Sequence, residues 1–326
     1  MTIATHPTIV SNTALLFPGQ GSQKAGMLSE LAEAFTLIGR TFDEASHAIN
    51  VDLWAIAQGD DRLHQTEYTQ PVLLTASIAL WRLWLELGGT RPAVVAGHSL
   101  GEYSALVAAG VMSLTDGVRL VRERGRLMQM AVPAGEGAMA AILGLDDARV
   151  IAQCAQVSAQ TALCVDAANF NADGQVVIAG QVEAVRQAIV AIKAIGGKAI
   201  MLPVSVPSHC RLMQPAADQL SALLADLTLH QADMPVIQNA HASIETDPAA
   251  MRQALIDQLS QPVRWTQTMH TIATMGMTQV VECGAGNVLS NLAKRMSTPL
   301  DAYAIDTRSR FEQALSAVSL AEGNLA

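Results

Sequence analysis

An α/β fold with a parallel sheet and a smaller inserted unit is predicted by three observations. Short apolar runs end abruptly in glycine-bounded turns and pass into helical spacing, the pattern of parallel strands with crossover helices. One such run, residues 93–96, enters Gly97-His98-Ser99-Leu100-Gly101, a G-x-S-x-G turn between a strand and a helix. Between residues 134 and 204 the order changes to β-α-β-β-α-β, the split βαβ of ferredoxin-like folds. The α/β pattern then resumes. The larger unit is therefore expected to be discontinuous, residues 1–133 and 205–326, around a small unit of residues 134–204.

Composition narrows the class. Of 326 residues, 50% are hydrophobic and 15% charged, which supports a sizeable core and excludes global disorder. Aromatics are only 4%, so Ala, Leu, Val and Met must fill that core. No apolar run approaches the ~18 residues of a membrane span. Residues 1–11 contain no Lys or Arg, so they lack the charged start of a secretion signal. A cytoplasmic protein with no membrane partner is expected. The net charge of −9 argues against nucleic acid, which needs a basic surface. Cys154, Cys164, Cys210 and Cys283 form no C-x-x-C, and the eight histidines form no H-x-x-x-H. Reduced thiols and no metal are expected.

In chain order, residues 13–17 read as the first strand, closed by Pro18-Gly19-Gln20-Gly21-Ser22-Gln23 at the carboxyl edge of the sheet, where α/β proteins place ligands. Lys24 stands where a dinucleotide loop needs its last Gly, and no Gly-Lys-Ser/Thr follows, so nucleotide phosphates are excluded. Either the backbone N–H groups and the Gln20 amide face a reacting centre, or this is an ordinary glycine turn. Residues 28–49 read as one helix. Thr69-Gln70-Pro71 opens another over 72–87. The elbow follows, then a helix over 114–130 that carries Arg124.

In the small unit, strands are expected at 138–143, 163–168, 175–179 and 198–204. Helices are expected at 146–156, capped by Asp146, and at 182–195. Residues 171–174 read as a turn. Beyond it, a long helix is expected over 213–227, a short strand at 236–237, and helices at 248–259 and 265–275. A strand at 279–283, a helix at 288–296 and a polar, helical or frayed tail over 311–326 complete the chain.

The elbow is the strongest chemical signal. A strand turning sharply into a helix thrusts Ser99 outward, and free N–H groups at the helix N-terminus face any developing negative charge. The larger unit is accordingly expected to be α/β-hydrolase-like. The alternative is a glycine-bounded turn with a Ser cap. His209, near the start of a helix that disfavours imidazolium, suits a general base, or is simply a packed His. His98 competes, but neighbouring side chains on an elbow diverge. Arg124 taken alone reads as a solvated helix residue.

Five motifs occur together: Gly19-Gln20-Gly21-Ser22-Gln23, Gly97-His98-Ser99-Leu100-Gly101-Glu102, Arg124-Gly125, Val206-Pro207-Ser208-His209, and Gln258-Leu259 followed by Pro262-Val263. In that order they resemble the malonyl-CoA:acyl carrier protein transacylases of bacterial type II fatty acid synthesis. The acyltransferase domains of polyketide synthases share the pattern, which covers nearly the whole chain. Gln261 stands where relatives often carry Asn, and Ala285 where many carry Pro.

The resemblance implies a Ser-His dyad, with Ser99 as nucleophile and His209 as base. It implies that Arg124 grips the malonyl carboxylate, that the Gln20 and Leu100 N–H groups hold the oxyanion, and that the Gln258 main-chain carbonyl orients His209. It implies malonyl transfer from coenzyme A to the phosphopantetheine thiol of acyl carrier protein through a malonyl-serine, with no metal or other cofactor. A monomer is expected. Lys193 with Lys198, or Lys294 with Arg295, would meet the acidic carrier. A serine esterase shares the elbow, but no triad acid is evident and Arg124 argues against it. A malonate-processing or polyketide-loading subunit would differ only in its carrier. A non-catalytic scaffold has no need of Ser99, His209 and Arg124 together.

Overall fold

A computed structural model describes residues 11–204, 206–297 and 300–323. Among the described residues ten strands form two sheets: β1 (Thr13–Phe17), β2 (Val94–Gly97), β3 (Gly137–Leu143), β4 (Val165–Ala172), β5 (Gln175–Gln181), β6 (Lys198–Met201), β7 (Val236–Ile237), β8 (Ile244–Glu245), β9 (Gln279–Glu282) and β10 (Asp301–Ala304). The six-stranded sheet runs β10-β9-β1-β2-β7-β8. Its pairs are parallel except for β8, which closes the edge antiparallel to β7.

β1 lies inside the sheet with all five residues buried, as a parallel strand covered on both faces must be. Its side chains alternate between two cores. Leu15 and Phe17 join Val95 and Val281 on one face, while Ala14 and Leu16 join Val94, Ala96 and Val280 on the other. The first face is covered by the helix Thr66–Glu86, which is buried almost all round, and by Leu114–Ala131. Their crossing depends on Gly125, because a Cβ there would overlap the Thr66 and Glu67 backbone.

The four-stranded sheet is antiparallel, in the order β4-β5-β3-β6. Ala138, Ala140 and Ile142 of β3 pack against the helices Asp147–Thr161 and Val182–Ala194 through Val150, Cys154, Val185 and Ile192. Its other face carries Met139, Ala168, Val177 and Ala179, packed with Cys210, which lies beyond β6 in the chain. β4 is tied to the segment that precedes the helix Trp265–Thr274, where Phe170 N–H donates to Val263 O and Val263 N–H donates back to Ala168 O, both at 2.9 Å, and Val263 packs in the core behind the six-stranded sheet.

Several element boundaries differ from expectation, each for a local reason. The single helix over 28–49 is two, Ser29–Ala34 and Thr36–Ile49, interrupted where Phe35 is extended. The helix expected from residue 72 starts at Thr66, with Pro71 inside it. Thr69 anchors those early turns through its hydroxyl on Leu63 O at 2.6 Å. Asn171 and Ala172 extend β4, and the turn is Asp173-Gly174 alone, with Gly174 in the left-handed region at φ 69°, which a glycine adopts without strain. Asp146 caps as expected, accepting the Arg149 N–H, but its helix runs on to Thr161. The strand over 198–204 stops at Met201, and the long helix over 213–227 becomes a short 3₁₀ turn, Arg211–Met213, followed by Gln214–Ala225. Outside the expected set lie the helix Leu53–Gly59, whose apolar run Leu53-Trp54-Ala55-Ile56-Ala57 is only about a turn and a half long, and the strands β8 and β10, which carry no clear apolar run. A helix Arg308–Gly323 accounts for most of the expected tail. The boundary at Ser205, residues 1–10, on which the expectation about a secretion signal rests, and the last three residues fall outside the described residues.

Candidate active site

The elbow is built as the glycine spacing demands. Ser99 sits between β2 and the helix Leu100–Ala108 at φ 54°, ψ −111°, a conformation unfavourable for a side-chain-bearing residue. Gly97 and Gly101 make it possible. A Cβ on Gly97 would overlap the Gly101 backbone, and one on Gly101 would overlap Phe17 O of β1. Asn239, just beyond β7, holds the turn from both sides. Its Oδ1 accepts the Ser99 N–H at 2.7 Å and its Nδ2 donates to Gly97 O at 2.6 Å. Asn239 is fully buried, and its own N–H donates to Glu102 Oε2 at 3.1 Å.

His209 meets Ser99 across the turn. Its Nε2 lies 2.7 Å from Ser99 Oγ and its Nδ1 lies 2.7 Å from Gln258 O. A carbonyl oxygen only accepts, so Nδ1 carries the proton and Nε2 is left to accept the Ser99 hydroxyl. His209 is 2% exposed. Burial first, then the Arg124 cation, hold its pKa down at about 3. The neutrality expected from a helix N-terminus therefore has a different cause, since the next full helix begins only at Gln214. The backbone of His209 is also unusual, with φ 62°, and its N–H is anchored on Leu259 O at 3.1 Å. His98 turns to the other wall, with Nε2 2.8 Å from Asn171 Oδ1 and its ring 5.4 Å from that of Trp265.

Arg124, which alone would read as a solvated helix residue, is 1% exposed. Nη1 donates to Gln70 Oε1 and Nη2 to Gln258 Oε1, both at 2.8 Å. Nη2 also reaches Ser99 Oγ at 3.4 Å, and the guanidinium carbon lies 5.2 Å from the Tyr103 ring centre. Its hydrogen-bond partners are thus two neutral amides and a hydroxyl, and Nε has none. Burial lowers its pKa, but a guanidinium remains charged. A buried cation so placed favours an incoming carboxylate. Gln258 joins all of these groups. Its main-chain O holds His209, its Oε1 accepts from Arg124, and its Nε2 donates to Ser99 O at 2.9 Å and Glu102 Oε2 at 2.8 Å.

These side chains open onto a cleft of about 320 Å³ between the two sheets. Gln20 and Leu100 line it beside Ser99, and among the described residues neither main-chain N–H has a protein acceptor. The Gln20 side chain bonds to Thr66 Oγ1 at 3.2 Å. Met139, Asn169, Asn171 and Val177 of the small sheet form the facing wall.

Sequence reasoning missed Asn239, Glu102, Gln70 and Tyr103. Asn239 offers no local signal. Glu102 stands in the first turn of a helix, where an acidic residue is ordinarily explained by the dipole. Outside the cleft, Cys164, Asp166 and Cys210 place their ligand-type atoms within 4.8 Å of one another, although Asp166 is already paired with Arg211 at 2.9 Å. The thiols lie far apart in the chain, one just before β4 and the other well beyond β6, so no spacing in the sequence reveals the grouping. Among the described residues no helix is long and apolar enough to cross a membrane.

Residues 14–302 match the acyl transferase domain family. The malonyl CoA-acyl carrier protein transacylase of Salmonella typhimurium is 51% identical over 306 residues, which is 93% of this chain and 98% of that protein. The crystal structure of FabD from Acinetobacter baumannii superposes with a TM-score of 0.94 at 58% identity, covering 95% of this chain and 99% of that one. A malonyl-transacylase solved in complex with a type II PKS acyl-carrier protein, AntF, superposes with a TM-score of 0.91 at 48% identity, covering 94% and 99%. With an elbow serine, a histidine on its hydroxyl and a buried arginine beside both, the chain belongs to the acyl transferase family, among the malonyl-CoA:acyl carrier protein transacylases.

Proposed function

We propose that this enzyme transfers the malonyl group from malonyl-CoA to the phosphopantetheine thiol of acyl carrier protein through a malonyl ester on Ser99, supplying fatty acid synthesis. The observation that carries this reading is Arg124, buried and charged 3.4 Å from the Ser99 hydroxyl. His209 Nε2 takes the Ser99 proton as Oγ attacks the thioester carbonyl. The carbonyl oxygen, now negative, is received by the N–H groups of Gln20 and Leu100, each worth about 3 kcal/mol at the transition state. The Ser99 N–H is engaged by Asn239 and is not a third donor. The tetrahedral centre collapses and expels the coenzyme A thiolate, which takes the proton from His209. The carrier thiol then attacks the Ser99 ester by the same steps in reverse. Double displacement at an acyl carbon moves no net electrons, so the chemistry calls for no redox cofactor.

The buried guanidinium accounts for malonyl selectivity. The malonyl carboxylate pairs with Arg124, whereas an acetyl group leaves the cation facing a methyl. The larger unit is α/β-hydrolase-like in this reading, supported by the positive φ of Ser99 at the end of β2. The small unit is ferredoxin-like, supported by the antiparallel order β4-β5-β3-β6. The boundaries 1–133 with 205–326, and 134–204, follow from that division. The reading takes the enzyme as a monomer working in the cytoplasm. Exposed Lys193 and Lys198, or Lys294 and Arg295, would meet the acidic carrier.

Intact mass tests the reading. After mixing with malonyl-CoA, the wild type gains one malonyl group and Ser99→Ala gains none. Adding holo carrier protein moves the group to the carrier. No adduct on the wild type, or an adduct that hydrolyses and ignores the carrier, would overturn it.

A further inference from the structure

We propose that Glu102 is a positioning residue for malonyl selectivity: it is the resting counter-charge of Arg124 and competes with the malonyl carboxylate for that cation. The inference rests on the malonyl-transfer reading above.

Glu102 is fully buried, three residues past the elbow serine. Its Oε2 accepts from Gln258 Nε2 at 2.8 Å and from Asn239 N–H at 3.1 Å, while its Oε1 has no partner. A buried, half-satisfied carboxylate is unfavourable unless a cation offsets it. Arg124 is one amide away, because the Gln258 Oε1 that accepts from Arg124 belongs to the amide that donates to Glu102. The carboxylate and the guanidinium together fix the amide, with Nε2 toward Glu102 and Oε1 toward Arg124.

Arg124 is the charged group whose field reaches Glu102. The other titratable groups nearby are neutral around pH 7. Burial pushes Tyr103 up to about 12, holds His209 at about 3 with help from Arg124, and lowers His98. For Glu102 itself, burial outweighs the amide, the N–H and the cation, and its pKa rises to about 7. A malonyl carboxylate on Arg124 gives one cation two carboxylates to serve. Below about pH 7 Glu102 is protonated and the malonyl group has Arg124 to itself; above it, the two compete. Selectivity for malonyl over acetyl therefore falls as pH rises.

The test compares kcat/KM for acylation by malonyl-CoA and by acetyl-CoA, for the wild type and Glu102→Gln, across about pH 6 to 8. The ratio of the two substrates cancels the titration of the coenzyme A phosphates, which both carry. Glutamine retains an oxygen for Gln258 and Asn239 and removes the charge. In the wild type the malonyl-to-acetyl ratio is expected to fall several-fold over that range. In Glu102→Gln it is expected to stay flat, to exceed the wild-type ratio at the alkaline end, and to come with a lower KM for malonyl-CoA. A purely structural role would weaken both substrates together. A flat ratio in the wild type, or a Glu102→Gln ratio at or below that of the wild type at the alkaline end, overturns the proposal. The wild-type profile decides even if the variant does not fold. If Ser99 takes up no malonyl at all, it is the malonyl-transfer reading that has failed, which is a different result.

Discussion

The six-stranded sheet gathers its strands from residues 13 to 304, whereas the four-stranded sheet takes all of its own from residues 137 to 201. The contrast extends to the cleft that they share. On the side of the larger sheet, Ser99, Arg124, His209, Asn239 and Gln258 come from five separate segments and meet through hydrogen bonds of 2.6–3.4 Å. On the side of the small sheet, Met139 and Val177 contribute apolar surface and Asn171 one bond to His98. A reacting centre needs several polar groups in fixed relation, and a single local segment cannot supply them. A wall needs shape, and a compact antiparallel unit supplies that from neighbouring residues. The two sides should therefore respond differently to truncation.

Arg124→Ala is expected to have the largest effect. Malonyl transfer should fall about a hundredfold or more, in line with about 2–5 kcal/mol for a buried charge partner, while acetyl transfer changes little. Matched steady-state assays with the two acyl-CoAs measure this, and equal losses would dissociate Arg124 from the carboxylate. Asn239→Ala comes next. It strips the Ser99 N–H and Gly97 O of their partner, at about 1–3 kcal/mol for each buried group. It should lower the Tm and slow acylation by both substrates alike, because the elbow itself loosens. Thermal melts with single-turnover acylation check this, and a stable variant that acylates normally would show that the strained turn holds itself. Val177→Ala on the small sheet should be mildest. It costs about 1.5–2.5 kcal/mol of stability and should shift the KM for malonyl-CoA by less than about threefold, since no bond at the reacting centre is touched. An effect as large as that of Asn239→Ala would make the wall part of the machinery and dissolve the contrast.

The same division governs what could be read from the sequence. Ser99 was legible because its signal is local: a strand, two close glycines and a helix within a dozen residues. Arg124 and His209 were ambiguous from spacing, because burial is decided by distant partners. Gly125 lets one helix press against another and so removes Arg124 from water, an event invisible in the local sequence. Their roles came from the order of five motifs. Asn239 had no signal, since it follows a two-residue strand and acts on a turn some 140 positions away. Glu102 was in view but easily explained away as a helix-start acid. In the fold, Pro71 suggested a helix start where the helix was already in its second turn. The half-exposed Asp301–Ala304 strand lacked the apolar run that marks its neighbours.

The scattering of the site along the chain also bears on how the enzyme is made. Ser99 leaves the ribosome 110 residues before His209 and 159 before Gln258. At about 5–20 residues per second, roughly 5–22 s pass before the base exists, and longer before the carbonyl that aligns it. The strand Gln279–Glu282, which flanks Thr13–Phe17 in the finished sheet, is later still. A growing polypeptide thus carries its nucleophile with nothing to deprotonate it. Truncated products released early by a stalled ribosome would be inert toward the cell's pool of thioesters, and reactivity would begin only when synthesis is nearly complete.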